Sequence, residues 1–199
     1  MGEDLILASA SPTRARLLSA AGISARIEPA DVDEEAVKRT FKANRGVAVD
    51  CALALAEAKA QLVSRRNHRA LVIGADRILV CGNTWFDKPA NPGAARAQLR
   101  SLSGCTHELV TATCVVQDEA PIWHQVGSPR LTMRTFSEGF LDDYLEAEGA
   151  SILGSVGAYR LEGRGVQLFT RIEGDHFAIL GLPLLELLGF LRDRGWLVS

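Results

Sequence analysis

Leu5-Ile6-Leu7-Ala8-Ser9-Ala10-Ser11-Pro12-Thr13-Arg14-Ala15-Arg16-Leu17-Leu18 is the stretch from which the fold is read. Its first four residues form a short apolar run and predict a buried strand; the rest open an amphipathic helix. Pro12 suits the first helical position, where its missing N–H would have had no partner anyway. A strand running straight into a helix is the building unit of an α/β fold. At the junction, backbone N–H groups, the hydroxyls of Ser9 and Ser11 and the Arg14 guanidinium converge on one spot that suits phosphate. The same residues also satisfy a plainer description, a serine N-cap followed by surface arginines.

Outward from this junction, apolar runs and helical stripes alternate. The first helix, Pro12 to Ala21, ends at Gly22, and Ser24 to Glu28 predicts a strand leading into the acidic segment Asp31-Val32-Asp33-Glu34. A long helix is expected from about Val47 to Arg66, with Leu53, Leu55, Ala56, Ala60, Leu62 and Val63 on its buried side. Ala70 to Ala75 reads as a central strand covered on both faces and ended by Asp76. Ile78–Cys81 and Thr84–Phe86 flank Gly82-Asn83 as a hairpin. A helix from Pro92 to Leu102, capped by Asn91 and closed near Gly104, precedes strands at Leu109–Val116, Ile122–Val126 and Leu131–Thr135. Ser137 caps a helix reaching Glu148. Strands at Val166–Ile172 and His176–Leu180 lead to a last helix, Leu184–Arg194, whose leucine stripe reads as core. Hairpins interrupt the strand–helix alternation, so the expected architecture is α/β, a single mixed-sheet domain over residues 1–199.

Composition narrows the function classes. A chain of 199 residues with 47% hydrophobic and 23% charged residues carries a real core. Its net charge of -2 gives no global basic field for polymeric nucleic acid or for a membrane surface, so any anion site is local. The acidic start, Met1-Gly2-Glu3-Asp4, does not read as a signal peptide, and the most apolar stretch, Phe177 to Leu191, is too short to span a bilayer. Cys51, Cys81, Cys105 and Cys114 lack paired spacing, and the histidines lack zinc spacing. A cytoplasmic protein is expected.

Three polar clusters stand at predicted strand ends, where α/β folds place ligands: Ser9 to Arg14, Asp76, and Asp87-Lys88-Pro89. A strand buried up to an aspartate implies a metal or a basic partner for the carboxylate. Glu34 and Lys59 are further candidates. Taken singly, Asp76 could cap a turn, Lys88 could be solvated and Glu34 could lie on an ordinary acidic loop. Taken together they suggest phosphate with a hard divalent cation, Mg²⁺ or Mn²⁺. GxxxxGK[ST], GxGxxG and GxSxG are all absent, which excludes a P-loop, a dinucleotide fingerprint and a nucleophile elbow.

Along nearly its whole length the chain resembles the Maf family of nucleoside triphosphate pyrophosphatases. The matching segments, in order, are Leu7-Ala8-Ser9-Ala10-Ser11-Pro12 with Arg14 and Leu17-Leu18; Asp31-Val32-Asp33-Glu34; Ala58-Lys59-Ala60; Ile73-Gly74-Ala75-Asp76; Lys88-Pro89; Leu102-Ser103-Gly104 with Thr106-His107; Gly157-Ala158-Tyr159; Glu162-Gly163; and Gly181-Leu182-Pro183-Leu184. The resemblance implies two lobes around a cleft, a homodimer, and cleavage of a nucleoside triphosphate to the monophosphate and pyrophosphate. It also implies Asp76, Glu34 and Lys88 as catalytic residues, with Asp76 and Glu34 holding the metal. Ser9, Ser11, Arg14, Lys59, Arg77 and Glu162 are the implied substrate contacts.

Several positions depart from the family pattern. Thr13 replaces an arginine, Arg77 stands where pyrimidine-selective members have Thr, and Ser155 replaces a lysine. Glu162 stands where those members have Gln. An ionised Glu only accepts hydrogen bonds, which suits the paired N–H donors of a guanine edge. The expected substrate is therefore 7-methyl-GTP or another modified or non-standard nucleotide, unless Glu162 merely pairs with Arg160 or Arg164. The competing expectation is a low-activity nucleotide-binding regulator of septum formation and cell division. A phosphatase using Asp31-Val32-Asp33 is a third, since these residues have the spacing but follow no strongly apolar strand.

Overall fold

The structure, a computed structural model, describes residues 4–198; Met1-Gly2-Glu3 of the acidic start lie outside the described residues. The chain divides into two compact units, Met1–Arg77 with Val110–Gly127 and Asp175–Ser199, and Ile78–Leu109 with Ser128–Gly174.

The first unit begins with β1 (Leu5–Leu7), α1 (Pro12–Ala20) and β2 (Arg26–Ile27). α2 (Glu34–Ala43) and α3 (Ala48–Ser64) follow and lead into β3 (Leu71–Cys81). β1 pairs in parallel with both β2 and β3, placing Leu5 opposite Leu71 and Leu7 opposite Ile73. This unit also holds most of β5 (Thr106–Gln117), which pairs antiparallel with β6 (Ala120–Gly127), and it closes with α6 (His176–Leu180) and α7 (Leu184–Asp193). Leu5, Leu7, Leu18, Leu71, Ile73, Leu184, Leu187 and Leu191 pack in one cluster, so the leucine stripe of the last helix is core. Burial of these side chains away from water is what holds α1 and α7 to the sheet.

In the second unit, β4 (Thr84–Phe86) returns antiparallel on the end of β3, with Cys81 opposite Thr84 and Gly82 at φ +57° in the turn. α4 (Pro92–Leu102) starts where Asn91 accepts from the Ala94 N–H at 2.9 Å. β7 (Arg130–Met133) pairs antiparallel with the start of β5 and with β8 (Phe169–Glu173). α5 (Glu138–Glu148) is capped by Ser137, and Arg96 and Arg100 of α4 pair with Glu138. The strands hydrogen bond in the order β2-β1-β3-β5-β7-β8, with β4 on β3 and β6 on β5, giving a mixed α/β sheet of eight strands as expected.

Three expectations are corrected. β3 does not end at Asp76 but continues to Cys81, because Lys59 satisfies the carboxylate inside the strand. The segment after Asp31-Val32-Asp33 is a helix: Asp33 accepts from the Ala36 N–H at 2.9 Å, and Glu34 and Glu35 occupy the first turn. Val37 and Phe41 of α2 stand one turn apart and give it an amphipathic pattern that the sequence reading did not use, although no residue of α2 is fully buried. His176–Leu180 is likewise helical rather than extended. Asp175 accepts from the Phe177 and Ala178 N–H groups at 3.2 and 2.6 Å, and Gly181, at φ +103°, ends the helix.

Candidate functional site

The site in the first unit starts from a close approach. Gly74 and Asp76 are two residues apart on β3 and so face the same side. A Cβ on Gly74 would stand 2.0 Å from the Ala56 carbonyl oxygen and 2.9 Å from the Ala60 Cβ, so only glycine lets α3 lie this near the strand. Lys59, one turn beyond Ala56, thereby reaches the carboxylate: its Nζ donates to Asp76 Oδ1 at 2.5 Å and lies 2.6 Å from Glu34 Oε1. Lys59 and Asp76 are both buried. Asp33 sets the position of Glu34 by capping α2, and Lys38, one turn further, stands 3.9 Å from Glu34 Oε2 with a largely buried side chain.

Donor and acceptor counting shows what this cluster leaves over. An ammonium has three N–H groups, of which two are directed at the carboxylates. Asp76 Oδ2 is buried and accepts from no described residue. A buried carboxylate oxygen left in that condition is costly, so it calls for a cation or a proton donor.

The strand–helix junction supplies positive charge. Ser9 Oγ, buried at the end of β1, accepts from the Ser11 N–H at 3.2 Å and from Arg14 Nη1 at 3.0 Å. Having accepted twice, the Ser9 hydroxyl has its own proton to offer a ligand. Ser11 caps α1 by accepting from the Arg14 N–H at 3.4 Å. Arg14 Nε donates to the Gly181 carbonyl at 2.8 Å. Burial lowers the Arg14 pKa to about 10, with Asp76 and Glu34 opposing the shift and Arg77 adding to it, so Arg14 remains a cation at neutral pH. Arg77 Nη1 donates to the Ile179 carbonyl at 2.5 Å.

Ser9, Ser11, Arg14, Glu34, Lys59, Asp76 and Arg77 thus gather in the first unit, linked by these bonds and by the field that Asp76, Glu34 and Arg77 exert on Arg14. Lys88 and Glu162 belong to the second unit, and both are exposed. Lys88 follows Asp87, whose carbonyl accepts from Gln98 Nε2 at 2.8 Å, and precedes the buried Pro89. Arg160 hydrogen bonds Glu148 Oε2 at 2.9 Å, while Glu162 acts on Arg160 through its charge.

Sequence reasoning missed His107 of β5 as a chemical group. Its Nε2 lies 2.7 Å from the Tyr159 hydroxyl, and its Nδ1 is buried with no hydrogen-bond partner among the described residues. An orphaned lone pair costs less than an orphaned N–H, which places the proton on Nε2. Burial pulls the imidazole pKa down to about 4, so it is neutral at pH 7. Lys38 and Thr111 were missed too. A lysine on a polar helix and a threonine in a strand carry no signal until their neighbours are known.

Among the described residues no group of three or more His, Cys, Asp or Glu side chains is arranged to hold a metal. A hard cation of the Mg²⁺ type takes one or two carboxylates and completes its shell with water and substrate phosphates. Asp76, with its buried unbonded oxygen, and Glu34 on the same ammonium fit such an ion.

A family profile described as "Maf-like protein" matches residues 4–194. The chain is 53% identical over 190 residues to a protein named nucleoside triphosphate pyrophosphatase from Granulibacter bethesdensis, covering 96% of each chain. A protein of the same name from Paramagnetospirillum magneticum is 53% identical over 193 residues, 97% of this chain and 100% of its own. One named 7-methyl-GTP pyrophosphatase, from Mesorhizobium japonicum, is 48% identical over 195 residues, 98% of each chain.

Proposed function

The chain belongs to the Maf-like protein family, and on that premise we propose that it is a nucleoside triphosphate pyrophosphatase that uses a divalent cation. It is a hydrolase: one water adds across the α–β anhydride of a nucleoside triphosphate, and a nucleoside monophosphate and pyrophosphate leave. The observation that carries this function is the state of Asp76. One oxygen is locked on Lys59 and the other is buried without a partner among the described residues, beside a guanidinium and a second carboxylate.

The roles proposed for the site residues are these. Arg14, Lys59 and the Ser9 hydroxyl bind phosphate oxygens and neutralise the charge that builds on the transferred group. The Ser11 hydroxyl, which caps α1, is also a substrate contact, and Lys88 supplies a further cation. Asp76 Oδ2, the carboxylate oxygen that Lys59 leaves over, either holds the cation or orients the attacking water. Glu34 pairs with the Lys59 ammonium at 2.6 Å and shares the cation site. Asp76 and Glu34 would hold Mg²⁺ or Mn²⁺, which supplies Lewis-acid stabilisation of phosphoryl oxygens when bound.

For the base, 7-methyl-GTP or another modified guanine nucleotide is the proposed substrate. Support comes from the carboxylate at Glu162, which as an acceptor suits the paired N–H donors of a guanine edge, and from relatives that carry the 7-methyl-GTP name. The test is pyrophosphate release from a panel of 7-methyl-GTP, GTP, dTTP, UTP and CTP with Mg²⁺ or Mn²⁺. Asp76→Asn should lose roughly 10²–10⁴-fold in turnover. Glu162→Gln should change the ranking of bases, and an unchanged ranking removes Glu162 from base recognition. No release from any nucleotide would favour the binding regulator instead. The expected homodimer is read in the same preparation by light scattering.

A further inference from the structure

Arg14 is held by more than its own helix. α6 is only five residues long, and three carbonyls at its C-terminal end are each taken by a side chain from elsewhere in the first unit. Thr111 Oγ1 of β5 donates to the Ala178 carbonyl at 2.9 Å, Arg77 Nη1 of β3 to Ile179 at 2.5 Å, and Arg14 Nε of α1 to Gly181 at 2.8 Å. Carbonyls at a helix end carry its negative pole and suit guanidinium groups, and that of Ala178 also accepts from the Gly181 N–H at 3.0 Å. Gly181 is in the left-handed region at φ +103°, and a Cβ there would meet Arg14 Nε at 3.3 Å. The turn therefore has the backbone shape and the clearance that Arg14 needs. Two of the five N–H groups of Arg14 go to Gly181 and Ser9. The other three bond no described residue, and they belong to a fork whose direction the turn has set.

We propose that the turn Ala178–Gly181 is a cradle that fixes the Arg14 guanidinium for anion binding, and that Arg77 and Thr111 are positioning residues acting through it. This assigns Arg77 a task other than the direct substrate contact expected from the sequence. It rests on Arg14 being a phosphate contact, which the proposed function assumes, but it does not require turnover. Thr111 is fully buried, so any effect of changing it on ligand affinity is indirect.

The test uses inorganic tripolyphosphate as the probe, with its dissociation constant measured calorimetrically for the full chain. The proteins are wild type, Arg14→Met, Arg77→Met, Arg14→Met/Arg77→Met and Thr111→Val, with a thermal melt for each. If Arg77 acts through Arg14, Arg77→Met weakens binding by between about twofold and a hundredfold in the wild-type background and has no further effect once Arg14 is Met. Thr111→Val weakens binding in the same direction while remaining folded; should it fail to fold, the Arg77 cycle decides alone. Additive losses in the double variant would make Arg77 an independent contact and overturn the cradle. So would wild-type affinity in Arg77→Met, or no tripolyphosphate binding by the wild type. Tripolyphosphate binding with a coupled cycle but no pyrophosphate release would keep the cradle and overturn the proposed function.

Discussion

Gly74→Ala is the sharpest structural perturbation of the site, because it adds a single methyl group and touches no candidate chemical group. That methyl would stand 2.0 Å from the Ala56 carbonyl oxygen, 2.9 Å from the Ala60 Cβ and 3.0 Å from the Ala56 carbonyl carbon. Backbone cannot swing aside as a flexible side chain does, so α3 and β3 must part by more than an ångström. Overpacking of this kind costs about 1–3 kcal/mol or more. Lys59 rides on the same helix, and its Nζ contacts of 2.5 and 2.6 Å to Asp76 and Glu34 would open with it. A displacement of about 1 Å at a reacting centre costs roughly 10²-fold in rate. The assay is urea unfolding combined with kcat for pyrophosphate release, and losses are expected in both. A variant with wild-type stability and turnover would show that the strand–helix approach does not set the site, and would refute the account of Asp76 given above.

Other changes isolate other terms. Lys59→Met leaves a buried carboxylate without its counter-charge and should cost about 3–5 kcal/mol in urea unfolding. The double variant Lys59→Met/Asp76→Asn should recover part of that loss, and simple addition of the two single losses would show that the pair is not coupled. His107 has a pKa of about 4 in the folded protein against 6.5 in the unfolded chain. The unfolded state therefore binds the extra proton, and the stability this group contributes is complete above pH 6.5 and is lost as pH falls towards 4. The loss is about 3 kcal/mol at most, and it should be absent from the pH–stability curve of His107→Gln. Thr113→Val removes a buried hydroxyl that has no partner among the described residues. It should be neutral or stabilising in the same unfolding assay, in contrast to Thr111→Val, which breaks a bond. Burial raises the Cys114 thiol pKa to about 12. Maleimide labelling read by mass spectrometry should accordingly leave Cys114 unmodified until the chain is unfolded.

Sequence by itself determined the elements whose causes are local. The β1–α1 junction was legible because proline at the first helical position and a serine cap act within a few residues, and α4 and α5 were legible for the same reason, through Asn91 and Ser137. The core face of α7 followed from its leucine spacing. The residues of the candidate site were legible too, as polar types placed against apolar runs and as segments resembling a family. Only the tertiary structure decided what each of them touches. β3 runs through Asp76 because a lysine seventeen positions earlier neutralises the carboxylate, and no local pattern contains that lysine. α2 and α6 both start at aspartate caps, and α6, at five residues, is too short to show a helical stripe, so a short-range hydrogen bond rather than hydrophobic periodicity marks it. Arg77 reaches a carbonyl 102 positions away and Arg14 one 167 positions away. A side-chain donor selects its acceptor by distance in space, and that distance exists only once the chain has folded.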